Sequence, residues 1–131
     1  MDNLFNDDWM KSFQDIWNGE PELKDALAQL DFNSAIGYGV PGEDKPRGFI
    51  SVVNGEVIDA GAYSDEALNW DIRAEEKNWG KWLNSGIGMA GMGMAVTTGK
   101  MKFKVGDFKA MIKDPRMAGP FVKSFEAMGR V

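Results

Sequence analysis

The 131-residue chain contains no cysteine and no histidine. Without cysteine there can be no disulfide, no thiolate nucleophile and no sulfur-ligated structural zinc. Without histidine the commonest general base and the commonest metal ligand are gone. Ser-His-Asp triads, Cys-His hydrolases and HExxH metalloproteases are therefore excluded, and only carboxylate-based catalysis survives. Clustered positive charge is also missing: the net charge is −5, which argues against nucleic acid, whose phosphates need grouped Lys and Arg. No apolar run approaches the ~20 residues that cross a bilayer. The acidic opening (Met1, Asp2, Asn3) is unlike a secretory signal, and Gly129-Arg130-Val131 is not a peroxisomal address. These features together predict a cytoplasmic, non-enzymatic protein.

What is present fits one domain over residues 1–131, with 44% hydrophobic and 27% charged residues. Trp9, Phe13, Ile16 and Trp17 recur at helical spacing between Asn6 and Asn18, and a second helix opens at Pro21 with Leu23, Leu27 and Leu30 inward. The period then changes to two. Ser34–Val40, Gly48–Val53 and Glu56–Tyr63 read as strands, the last two joined by Asn54-Gly55, a strong hairpin signal. Leu68, Trp70, Ile72 and Ala74 alternate with Asn69, Asp71 and Arg73, which predicts a half-buried strand with Asp71 and Arg73 on its solvated face. The short links favour antiparallel neighbours among these four strands.

A helix follows at Glu75–Leu83. Next comes a Gly/Met segment in which Gly86, Gly88, Gly91 and Gly93 would each cost a helix ~1 kcal/mol. A fifth strand sets Met101, Phe103 and Val105 on one face and Lys100, Lys102 and Lys104 on the other. Asp107 caps a short helix with Phe108, Met111 and Ile112, and a last helix aligns Met117, Phe121, Phe125 and Met128. The expected architecture is α+β: a five-stranded, largely antiparallel sheet with helices covering one face.

Several features carry two readings. Seven of the nine Met lie after residue 88, either as gap-fillers in a core or as an adaptable wall around a guest. Trp79 and Trp82 share a helix face and either anchor it to the sheet or offer flat walls to a fused-ring ligand. Residues 1–99 carry 7 Lys+Arg against 17 Asp+Glu, whereas residues 100–131 carry 8 against 3. The lysine strip at Lys100, Lys102, Lys104, Lys109 and Lys113 either meets anionic head groups or blunts an edge strand. The GxGxxG match at Gly86–Gly91 follows a helix instead of a strand, so it is not a dinucleotide site. Asp59 is the one carboxylate with any claim to act as a base. The C-terminal Met/Phe stripe supplies an alternative role, docking on a partner or on a second copy.

From Leu68 to Met111 the order of parts resembles the sterol carrier protein type 2 family of lipid-binding domains. The likeness rests on the strand Leu68–Ala74, the helix bearing Trp79, Trp82 and Leu83, and the run Thr98-Gly99-Lys100-Met101-Lys102-Phe103-Lys104-Val105-Gly106-Asp107. It implies an apolar tunnel between sheet and helices. It also implies binding or transfer of a sterol, fatty acid, fatty acyl-CoA or related hydrophobe, with no cofactor or metal. Carried onto this chain, the wall would comprise Ile87, Met89, Met92, Met94, Met101, Phe103 and Val105 with Trp79, Trp82 and Leu83. Phe108, Met111, Ile112, Phe121 and Phe125 of the C-terminal helices would close it. Lys100, Lys102 and Lys104 would meet a membrane or an acyl-CoA.

Overall fold

The computed structural model describes residues 3–131; the opening Met1 and Asp2 lie outside them. Along the chain come α1 (Asp7–Asn18), α2 (Lys24–Ala28), β1 (Ser34–Gly39), β2 (Gly48–Val53), β3 (Glu56–Ala62), β4 (Trp70–Arg73), α3 (Glu76–Ser85), α4 (Met89–Thr97), β5 (Lys102–Val105), α5 (Phe108–Ile112) and α6 (Pro115–Met128). The five strands form one open sheet in the order β3-β2-β1-β4-β5. Among the described residues no helix is long and apolar enough to cross a membrane.

The sheet is mixed. β1–β2, β2–β3 and β4–β5 are antiparallel, but β1 and β4 run parallel. The sheet is largely antiparallel as expected, but the antiparallel pairing that the short links favour among the first four strands fails at β4, because residues 63–69 cross the sheet instead of turning back on β3. Small residues on the back of β1 permit that crossing. A Cβ on Gly37 would stand 2.8 Å from Leu68 Cδ1, and one on Gly39 would stand 2.9 Å from Pro46 Cα. The crossover and the loop before β2 thus lie close on the back face.

That cover changes the fate of two residues expected in solvent. Asp71 and Arg73 are buried, paired at 2.6 Å (Nε–Oδ1) and 3.0 Å (Nη2–Oδ2). Arg73 also donates to the carbonyls of Val40 at 3.0 Å and Glu43 at 2.7 Å. The alternation was read correctly, but the back face is roofed by loop, so the pair is structural.

The hairpin forms at Asn54-Gly55, both with positive φ (49° and 81°) as a primed turn requires. Its backbone is clamped: Gly55 N donates to Phe32 O at 3.0 Å, and Trp17 Nε1 donates to Gly55 O at 2.8 Å. Helix α1 starts at an Asn6 cap, whose side chain accepts from Trp9 N. It lies along β3, where Asn18 both accepts from Val57 N (2.8 Å) and donates to Val57 O (2.9 Å). This satisfies part of an edge strand's unpaired backbone.

Ile36, Tyr38, Ile50, Val52 and Ile72 point to the helical side and join one apolar core with α1, α3 and α6. Trp79 is its anchor. The ring is fully buried, stacks on Phe125 (5.8 Å, 20°) and donates from Nε1 to Gly39 O at 2.9 Å.

Candidate functional site: an apolar cavity beneath the last helix

Between β1, β4 and α6 lies a cavity of about 40 Å³. Strand alternation supplies its floor: Ile36 and Tyr38 from β1, Trp70 and Ile72 from β4. Trp17, Leu27 and Phe32 close one side. Met117, Pro120, Phe121 and Ser124 of α6, with Met111 of α5, form the roof. The volume suits a few water molecules and falls well short of the ~300 Å³ of an ordinary ligand pocket. Any larger guest must lift the roof.

The roof is weak at the right place. Pro120 stands inside α6, where it cannot donate to the preceding turn and its ring crowds the carbonyl four residues back. Gly119 beside it has open space where a Cβ would lie. Ser124 Oγ donates back to Phe121 O at 2.6 Å, an interaction that bends helices. On the outer side, a surface groove between α2 and α6 runs past Leu30, Gly119 and Pro120. Pro120 borders both the groove and the cavity.

The polar content of the wall is small and specific. Trp17 Nε1 and Ser124 Oγ are already paired. Tyr38 is 2% exposed, and burial pushes its phenol well above the ordinary range. The group is thus a neutral hydroxyl at any physiological pH. Among the described residues no hydrogen bond reaches that hydroxyl, and no fully enclosed polar side-chain atom lacks a partner. The Tyr38 side chain helps to wall the cavity.

The residues expected to line a tunnel are distributed otherwise. Met111 and Phe121 reach the cavity. Phe103 and Phe108 stand one layer behind, packed on Phe121 at 6.0 and 6.2 Å. Trp79, Trp82, Met92, Met101 and Phe125 are buried in solid core. Their aromatic rings interlock, with Trp82 5.6 Å from Trp79 and 6.4 Å from Phe125. Leu83, Ile87 and Ile112 are half-buried against the core, and Met89 is half-buried.

Met94 and Val105 are exposed, at 63% and 43%. Val105 leaves the inner face because an irregularity between Asp71 and Ile72 sets it opposite Asp71, while Phe103 keeps its place opposite Ile72. Lys100, Lys102 and Lys104 are exposed, as their alternation predicts. Asp59 is exposed on β3, away from the cavity. The cavity residues that the sequence reading left out are Trp17, Leu27, Phe32, Ile36, Tyr38, Trp70, Ile72, Met117, Pro120 and Ser124. The helix-breaking Pro120 inside an apolar stripe was the signal that could have found them.

No protein-family model matches the chain, and no curated protein does. Solved structures do. A crystal structure of sterol carrier protein 2 superposes with a TM-score of 0.77 at 18% identity, covering 98% of both chains. A Thermus thermophilus protein described as a candidate sterol carrier protein gives 0.64 at 17% identity, covering 95% of this chain and 88% of that one. The UbiJ-SCP2 ubiquinone synthesis protein gives 0.56 at 13% identity, with 88% and 87% covered. At these identities the likeness concerns architecture: the chain is an α+β domain with the sterol carrier protein 2 fold.

Proposed function

We propose that the protein binds, and passes on, a neutral lipid-like molecule in the cavity beneath α6, without chemistry upon it. The observation that carries this reading is an apolar cavity walled in part by Tyr38, whose hydroxyl has no hydrogen-bond partner among the described residues. Hydrocarbon is drawn in by burial, and the phenol offers a hydrogen bond to a single hydroxyl or carbonyl oxygen. A carboxylate would sit there without a cation, at high desolvation cost. A sterol, a fatty alcohol or ester, or an isoprenoid with a carbonyl head meets these terms. The sterol carrier protein 2 fold, shared with a ubiquinone synthesis protein, supports a hydrophobic guest. The absence of histidine and cysteine supports a non-catalytic role.

Entry is by displacement of the Met117–Phe121 turn, hinged at Gly119-Pro120. Lys100, Lys102 and Lys104 supply contact with anionic head groups or an acyl-CoA phosphate, and the setting is cytoplasmic. An accessory role that docks through the C-terminal stripe is the second reading, supported by the fold shared with a ubiquinone synthesis protein; Phe125 and Met128 face inward at 1% exposure, so half-buried Met117 and Phe121 would carry it.

Trp17 and Trp70 wall the cavity, so intrinsic fluorescence reports occupancy. Titration with a long-chain alcohol should change it, and Tyr38→Phe should weaken that alcohol about fivefold, near 1 kcal/mol, while leaving a matched alkane unaffected. Protein that purifies empty by native mass spectrometry and shows no fluorescence response would overturn the reading.

A further inference from the structure

Helix α4 carries a different kind of apolar surface. It has no ionisable residue, and its apolar side chains run around its whole circumference. Such a helix belongs in a protein core or a membrane. Here only Met92 and Ala95 are buried. Met94 is 63% exposed, Met89 and Val96 are half-buried, and Gly88 and Gly93 have open space where a side chain would stand.

The charge around this helix is one-sided. Between Lys77 and Gly106 there are five lysines and no carboxylate, in a chain whose net charge is −5. Lys77, Lys100 and Lys102 border a single surface depression with Glu75 and Asn78, which brings the start of α3 and the end of α4 together. Lys77 pairs loosely with Glu75 at 3.6 Å, and Lys104 Nζ lies 3.5 Å from the Asp44 carbonyl. Lys81, Lys100 and Lys102 are exposed and enter no ion pair among the described residues. Decoration of edge strand β5 accounts for its own lysines, but neither for Lys81 nor for the exposed apolar side of α4.

We infer that α4 is the element by which the protein docks on an anionic lipid bilayer, with Met94 and its neighbours entering the interface and Lys77, Lys81, Lys100 and Lys102 meeting the head groups. This deepens the lysine contact proposed above and commits it to a bilayer. The strongly acidic remainder of the chain is then repelled, so the molecule approaches with α4 foremost. A short apolar helix and a basic rim together supply the two weak signals that reversible membrane attachment requires.

Ligand-free protein is sedimented with vesicles of phosphatidylcholine and of a phosphatidylcholine/phosphatidylglycerol mixture. Binding to the mixture only, falling with added salt, is expected. The Lys81→Glu/Lys100→Glu/Lys102→Glu variant should weaken it by more than about a hundredfold, from roughly fivefold per lysine neutralised and more for reversal. Met94→Asp should weaken it at least fivefold, with unchanged circular dichroism and unchanged alcohol titration. Equal binding to both vesicles, no binding to either, or wild-type binding by both variants would overturn the inference. So would a dimer in light scattering that Met94→Asp dissolves, since α4 would then serve a second copy. Loss of the alcohol signal with vesicle binding intact would refute the cavity reading and leave this one standing.

Discussion

Helices α4 and α6 are both rich in methionine and glycine-interrupted, yet the fold spends them in opposite ways. In α6 the apolar residues fall on one stripe, and Phe125 and Met128 end at 1% exposure. In α4 they fall on all sides, and the outer half is left in solvent. The same residue types therefore make a roof in one place and a surface in the other. What separates them is periodicity: α6 interleaves its apolar stripe with Arg116, Lys123 and Glu126, whereas α4 has no ionisable residue to mark a polar face.

Point substitutions should separate the two helices most sharply through stability. Phe125→Ala removes a ring packed between Trp79, Trp82 and Phe121 and is expected to cost about 3–5 kcal/mol by chemical denaturation. Met94→Ala on α4 should stay within about 0.5 kcal/mol. A comparable loss at Met94 would show that α4 is held in a core after all. The back face offers a check of similar size: Arg73→Met strands the buried Asp71 carboxylate and is expected to cost about 3 kcal/mol or more. Its double partner, with Asp71→Leu added, should recover much of that loss.

Glycine substitutions sharpen the comparison further. Gly119→Ala and Gly93→Ala both place a methyl in open space, so each should raise the unfolding free energy by about 0.5–1 kcal/mol. Only Gly119→Ala should slow ligand uptake in stopped-flow fluorescence, because only α6 must bend. The smallest effect is on pH. Glu20 sits below the usual glutamate range because its carboxylate accepts from Glu22 N, aided by Arg130 and Lys123. A lowered native value means stability that is present above the ordinary glutamate range and is lost as pH falls through the native value. Glu20→Gln should flatten a shallow decline of melting temperature on acidification, measured below about pH 4.5.

Much of the scaffold was readable from local rules. The Asn54-Gly55 turn, the Asp107 cap and the inward Phe125/Met128 stripe each follow from one short-range signal. Two of the four costly glycines proved to be punctuation: Gly86 ends α3 at φ 83°, and Gly88 caps α4. What escaped was set by distant pairing. Nothing near Trp70 announces that its strand will run parallel to β1, and nothing near Val105 announces the shift that turns it outward. The candidate site was harder still. Its wall is drawn from α2, the sheet and α6 at once, whereas no residue of the Met/Gly segment expected to form it lines the cavity.

The parallel pairing of β1 with β4 also bears on how the molecule opens. β2 and β3 meet across a two-residue turn and can form early, whereas β1 must find a partner 34 residues away, as the Ile36–Trp70 register shows. Closing that long loop is slow and entropically costly, so the half of the sheet beneath α6 should be the less protected cooperative unit. Amide protons of β4, β5 and α6 should then exchange with deuterium before those of the β2–β3 hairpin, and a bound guest should delay them selectively.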